Sequence, residues 1–334
     1  MKRSCQRLRT SYLDVVYCHD VEFVSPQEVL DAVQELRRIR DEEGTLRYVG
    51  ISGYPVHHLC ELAEMIVRET GEPIDIVQSY ANFTIQNTRL LSEGFQRLVD
   101  AGVDIVTNAS PLGMGLLRRQ GPPVGAMGNW HPAPDELKKA CADASKWTDA
   151  QGEKLEVVAV RFALENWLRE GSAAGTYGNP YGSTGEADSA PLRMTTAKLG
   201  VIVMGVSKME ELDETMRVWR SVLDGLADDL DTDPGTMTPS DALTDHEWSL
   251  IRRQRIRALA KEIRKLIGPW ADYAWPSPEP GFVRQRGNPR AVEHDPDISE
   301  SPSQVAIHPA LLTPPSEAID DGAAGPDDIP AIRR

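Results

Sequence analysis

Five short apolar segments of this chain each end in polar, hydrogen-bonding side chains. In order, the ends are Cys18-His19-Asp20, Ser52-Gly53, Gln78-Ser79-Tyr80, Asn108-Ala109-Ser110-Pro111-Leu112-Gly113 and Gly205-Val206-Ser207. Ligands gather at the carboxyl ends of parallel strands, so polar groups placed there so regularly suit a site for a polar ligand. Taken alone, His19 at a strand end reads first as a satisfied core histidine, with a ligand-facing acid–base group as the alternative. The Ser52 and Ser110 hydroxyls suit ligand binding or helix capping. Gln78 ends an apolar strand, where an amide is costly unless it has partners. Asp20 reads as a loop-start carboxylate. Trp270, Tyr273 and Trp275 either line a substrate mouth or staple the carboxyl-terminal segment. His57, His58 and His131 lack metal-ligand spacing and are expected on a solvated surface. Cys5, Cys18, Cys60 and Cys141 are too scattered for a zinc ribbon or a redox pair, so no metal is expected.

The elements that must position these groups follow two alternating patterns. Residues 13–18, 48–51, 74–78, 103–107 and 201–204 are near-continuously apolar, as parallel strands buried on both faces are. Helix-period segments lie between them. Ser25 can cap the first, Pro26 suits its first turn, and Glu28 completes a capping box. Val29, Val33, Leu36 and Ile39 form its apolar stripe, and Gly44 can end it. Further helices are predicted over 56–69, 88–101, 153–168 and 208–226. This alternation requires right-handed crossovers and a parallel sheet. Five strands fit either an open doubly wound sheet or part of a (β/α)8 barrel, which needs eight to close.

Residues 171–192 read as an irregular insertion and 227–241 as an acidic linker. Residues 246–267 are predicted to form an amphipathic helix on Trp248, Ile251, Ile256, Leu259, Ile263 and Leu266. From 285 onward prolines and acids dominate without a period, which predicts a disordered tail. The expected units are therefore 1–226, 227–284 and 285–334.

A formal charge of −15 argues against nucleic acid and anionic membrane surfaces as partners, because both would repel it. The run Arg252-Arg253-Gln254-Arg255 reads as a solvated helix face. No stretch of 18 apolar residues and no export leader is visible. With four unpaired cysteines, a reduced cytoplasmic protein is expected.

Residues 8–20 resemble the fourth strand of aldo-keto reductases with the helix end before it; in that family the strand ends in a catalytic histidine, here His19. Arg47-Tyr48-Val49-Gly50-Ile51-Ser52 is similar to the fifth strand, whose serine helps hold the nicotinamide carboxamide. Asp75-Ile76-Val77-Gln78 is similar to the sixth, whose glutamine shares that task. Ser110-Pro111-Leu112-Gly113-Met114-Gly115-Leu116-Leu117 looks like the loop that wraps the cofactor pyrophosphate. Val203-Met204-Gly205-Val206-Ser207, followed by Glu210-Glu211-Leu212, resembles the eighth strand and the helix that grips the adenosine end. Five resemblances in the family's order identify the chain as a member. They imply an α/β fold, an incomplete TIM (β/α)8 barrel of about strands 4 to 8, with a carboxyl-terminal helical extension. They also imply an NAD(P)-dependent oxidoreductase with a small-molecule sugar or carbonyl substrate. Tyr80-Ala81-Asn82, the loop after Asn108 and residues 268–275 look most like the D-arabinose and L-galactose dehydrogenase branch, which oxidises an aldose at its anomeric carbon to the lactone.

Two departures from the family pattern bear on these expectations. Ala109 stands where many members stack a tyrosine on the nicotinamide, and the galactose-type branch lacks that ring too. Glu210 and Glu211 would repel a 2′-phosphate, so NAD is expected as the cofactor in preference to NADP. The family's catalytic tyrosine, its lysine and the lysine's aspartate precede the histidine strand. Eighteen residues precede His19, and none can be matched to those three. The chain is thus expected to be a fragment of an active enzyme. The alternatives are a degenerate product that folds poorly and a catalytically dead cofactor-binding or interaction protein completed by another chain.

Overall fold

The computed structural model describes residues 1–122, 131–176, 179–180, 197–224 and 245–284. A short helix α1 (Lys2–Leu8) leads into strand β1 (Leu13–His19), and the first crossover helix α2 (Pro26–Glu43) begins at the predicted capping box. The Glu28 N–H donates to Ser25 Oγ at 3.3 Å, and the Ser25 N–H donates to Glu28 Oε2 at 3.0 Å. Two N–H groups without intrahelical partners are thereby satisfied. Ser25→Ala is expected to destabilise the fold by about 1 kcal/mol, visible as a lower denaturant midpoint at unchanged slope.

Strand β2 (Leu46–Gly53), helix α3 (Val56–Thr70), strand β3 (Ile76–Tyr80), helix α4 (Phe95–Asp100) and strand β4 (Ile105–Ala109) follow. The helix expected over 88–101 opens instead as a π-turn at Leu90–Gly94 before becoming α4. At Gly94 the backbone packs tightly on α3: a Cβ there would fall 2.3 Å from Val56 Cγ1. Strands β3 and β4 start two residues later than expected, because Ile74 and Val103 are buried as approach residues rather than as strand.

Beyond β4 come α5 (Asp135–Ala150) and α6 (Leu155–Glu170), where the sequence pattern pointed to one main helix. The two-residue β5 (Asn179–Pro180) and β6 (Ala197–Lys198) pair with each other. Strand β7 (Val201–Val203), helix α7 (Met209–Asp224) and helix α8 (Asp245–Ile267) complete the order. The expected linker, the tail from 285 and most of 171–192 lie outside the described residues.

The main sheet is parallel throughout, in the order β1-β2-β3-β4-β7. Each strand lies beside its predecessor in that series. No reversal of winding occurs, such as a doubly wound sheet uses at its switch point, and sequential winding is the pattern of β/α barrels. Val49, Ile51, Val77 and Val106 bury against α2, α3, α4 and Trp167. A second cluster joins Tyr54, Tyr80, Leu116, Leu137, Val158, Ile256, Ile263 and Trp275. Helix α8 and the aromatic segment after it are thus packed onto α5 and α6. Trp248, Ile251 and Leu266, expected on the buried stripe of α8, are exposed.

Candidate functional site

Strand register does the positioning. His19 is paired with Ser52, Ser52 with Gln78, and Gln78 with Thr107, which places the four in one row across the sheet. Two residues further along, Tyr80 pairs with Ala109 and Ala109 with Val203. Side chains in register on neighbouring strands project to the same face. At this end of the sheet lies a cavity of about 420 Å³, lined by His19, Gln78, Tyr80, Ser110, Leu112, Gly205, Ser207 and Glu211 among others. That volume is typical of small-molecule sites.

Gln78 Nε2 donates to Ser52 Oγ at 3.1 Å, the partner its apolar strand requires. Ser52 is fully buried and does not itself line the cavity. Among the described residues the Gln78 amide oxygen has no partner, so it can accept a further hydrogen bond. His19 keeps 44% of its side chain exposed, with Nδ1 held 3.1 Å from Asp20 Oδ1. Asp20 is left-handed at φ 56°, uncommon for a non-glycine residue. The Asp20 contact raises the His19 pKa above its ordinary value, against the opposing pull of burial. With Nδ1 turned to Asp20, Nε2 is the ring nitrogen left for a ligand. Asp20 is therefore the charge partner of His19, beyond starting the loop.

The loop from Ser110 to Leu117 forms one wall. Ser110, Gly113, Met114 and Gly115 all have positive φ, at 54°, 59°, 58° and 95°. At 95° only glycine is comfortable, which accounts for Gly115. The loop is braced by Gly113 N–H to Ser110 O at 2.8 Å, and by Ser110 N–H to Val203 O at 3.0 Å on β7. Gly113 is set back from the cavity, its carbonyl accepting from His131 Nε2 at 3.0 Å.

The facing wall is the turn from β7 into α7. Ser207 donates from its N–H and its hydroxyl to Glu211 Oε2, at 2.8 and 2.9 Å. The Ser207 N–H lowers the Glu211 pKa, so this carboxylate caps α7 in its ionised form. Arg118 of the loop approaches Glu211 Oε1 to 3.8 Å and links the two walls. Glu210 is exposed and does not line the cavity.

Several cavity residues were not singled out from the sequence. Arg118, Glu156 and Glu214 come from three separate elements, and no local pattern joins them. Glu22, directly behind Tyr80, did carry a signal: a carboxylate between Val21 and Phe23 in an otherwise apolar stretch. His131 corrects an expectation. It is 2% exposed rather than solvated, because it packs against Trp275 and bonds Gly113. Trp275 stacks on Tyr54 at 4.6 Å and 6°, and none of Trp270, Tyr273 and Trp275 lines the cavity. These aromatics staple the carboxyl-terminal segment. Among the described residues no group of three or more His, Cys, Asp or Glu could hold a metal ion, and no helix is long and apolar enough to cross a membrane.

A sequentially wound parallel sheet with a cavity of small-molecule size at its carboxyl ends defines an α/β protein of the barrel-like type. The sequence model of the aldo/keto reductase family matches residues 1–225, and the chain belongs to that family. D-arabinose 1-dehydrogenase of Saccharomyces cerevisiae is 35% identical over 212 residues, covering 63% of this chain and 53% of that protein. L-galactose dehydrogenase of Arabidopsis thaliana is 33% identical over 164 residues, covering 49% and 48%. The chain spans about half the length of these curated relatives.

Proposed function

We propose that this chain is the cofactor-binding part, corresponding to about strands 4 to 8 of a (β/α)8 barrel, of a nicotinamide-dependent dehydrogenase that oxidises an aldose at its anomeric carbon. The observation that carries this is the Gln78–Ser52 pair at the strand ends, beside a wall of left-handed backbone. The amide oxygen of Gln78 would take the carboxamide N–H of a nicotinamide, with Ser52 fixing the orientation of Gln78. Ser110, Leu112 and Gly113 would shape the loop around the pyrophosphate. Gly205, Ser207 and Glu211 would hold the adenosine end. A bound oxidised nicotinamide would supply the hydride acceptor. His19, held by Asp20, would direct Nε2 at the substrate oxygen and fix the carbon to be oxidised. Within the same proposal, residues 1–226 form the barrel part, 227–284 the helical extension and 285–334 a tail.

The cavity charge bears on which dinucleotide binds. Among the described residues, Glu156, Glu211 and Glu214 line it against one guanidinium, Arg118. Lys154 lies 3.6 Å from Glu214 but does not line the cavity. A 2′-phosphate placed there meets a net negative wall, so NAD is expected to bind about tenfold more tightly than NADP. Calorimetric titration of the full chain with each dinucleotide measures this; equal affinities would overturn the charge argument.

A further inference from the structure

The geometry points to Tyr80, held by Glu22, as the residue that recognises a sugar hydroxyl: its phenolic oxygen accepts a hydrogen bond from an aldose O–H. This contact rests on the dehydrogenase function proposed above and supplies that site with a specificity residue.

Glu22 lies in the turn just past β1 and is 8% exposed. Its Oε1 accepts from the Tyr54 N–H at 3.0 Å, the Tyr80 hydroxyl at 3.1 Å and the Ser277 hydroxyl at 3.3 Å. Its Oε2 is buried without a partner among the described residues. That oxygen fits against Gly53, where a Cβ would come within 2.5 Å. Burial raises the Glu22 pKa, and the donors from Tyr54 and Tyr80 work against that shift. The carboxylate is a fixed acceptor built where four segments of chain meet.

Its effect on Tyr80 is specific. A phenol has one proton to give, and Tyr80 gives it to Glu22, so only the oxygen lone pairs remain. Tyr80 lines the cavity. It begins on β3, and its hydroxyl meets Glu22, which follows β1, beside the end of β2 between them. An unheld tyrosine would serve donors and acceptors alike. Held by Glu22, it favours a ligand that offers O–H at this point and disfavours one lacking it, such as a deoxy sugar. Glu22 is then a positioning residue and Tyr80 the contact.

The test is calorimetric titration of the full chain, saturated with NAD, with D-arabinose and with each of its monodeoxy analogues. One analogue is expected to bind about tenfold more weakly than D-arabinose, the equivalent of one lost hydrogen bond. Tyr80→Phe should abolish that preference by weakening D-arabinose to the level of the analogue. Glu22→Gln, which keeps an oxygen acceptor for the phenol, should retain the preference, and Glu22→Ala, which frees the phenol to donate as well as accept, should narrow it. If Glu22→Ala fails to fold, Tyr80→Phe and Glu22→Gln still decide. A preference that survives Tyr80→Phe, no discrimination among the analogues, or no sugar binding to the NAD-loaded chain would each overturn the contact. Failure to bind NAD at all would instead overturn the dehydrogenase function, and this contact with it.

Discussion

Arg161→Leu is expected to lower stability by about 3–5 kcal/mol, because it strands a buried carboxylate. Arg161 Nε donates to Glu165 at 2.6 Å, and both side chains are 2% exposed. The same guanidinium donates to Ser221 Oγ at 2.7 Å and to the Ser249 carbonyl at 3.2 Å. One side chain of α6 thereby ties down α7 and α8. Helix α6 contributes Glu156, Val157 and Val160 to the cavity, and α7 contributes Glu211, Glu214, Thr215 and Val218. Loss of the pair should therefore weaken NAD binding as well as lower the denaturant midpoint. The double variant Arg161→Leu/Glu165→Leu removes both charges and should recover most of the stability. Equal destabilisation by the single and double variants would mean that packing, not the stranded charge, sets the cost.

Acid should loosen the fold through His131. Burial pushes its pKa down to about 4 from the ordinary 6.5. Its Nδ1 accepts from the Ala133 N–H at 3.1 Å, so its proton sits on Nε2 and faces the Gly113 carbonyl. The folded chain keeps this imidazole neutral down to about pH 4, whereas in the unfolded chain it takes a proton near 6.5. Its contribution is complete above pH 6.5 and is lost as the pH falls toward 4, a change of about 3 kcal/mol. His131→Gln should lack that component, visible as a flatter stability profile between pH 7 and 4 than the parent chain shows. Because His131 braces Gly113, the same acidification should release the loop wall and weaken dinucleotide binding. Parallel profiles for parent and variant would remove His131 as the cause.

The legible parts of the sequence were those whose signal is local. The capping box at Ser25 and Glu28 and the glycines closing α2 and α3 are each set by a few neighbouring residues. So are the polar groups at the five strand ends, and in-register pairing then brings His19, Ser52 and Gln78 into one row. The start of β3 was not legible, since Ile74 is as buried outside the strand as Ile76 is within it. Helix α5 was hidden because its buried face is Leu137, Cys141, Ala144, Ser145 and Thr148, mostly small or polar residues that leave little apolar period. At the site, Glu211 was legible as a charge but not as the cap of α7. Its contact with Arg118 spans 93 positions of chain, from 118 to 211, and exists only once the loop has folded back.

Titration of the full chain with NAD, followed by heat or by quenching of intrinsic fluorescence, tests the central claim most directly. One saturable site per chain is expected, weakened about tenfold by Gln78→Ala through loss of the carboxamide contact. A folded chain that shows no saturable binding at millimolar NAD, or that binds equally well without the Gln78 amide, would contradict the assignment of this cavity to a nicotinamide dinucleotide.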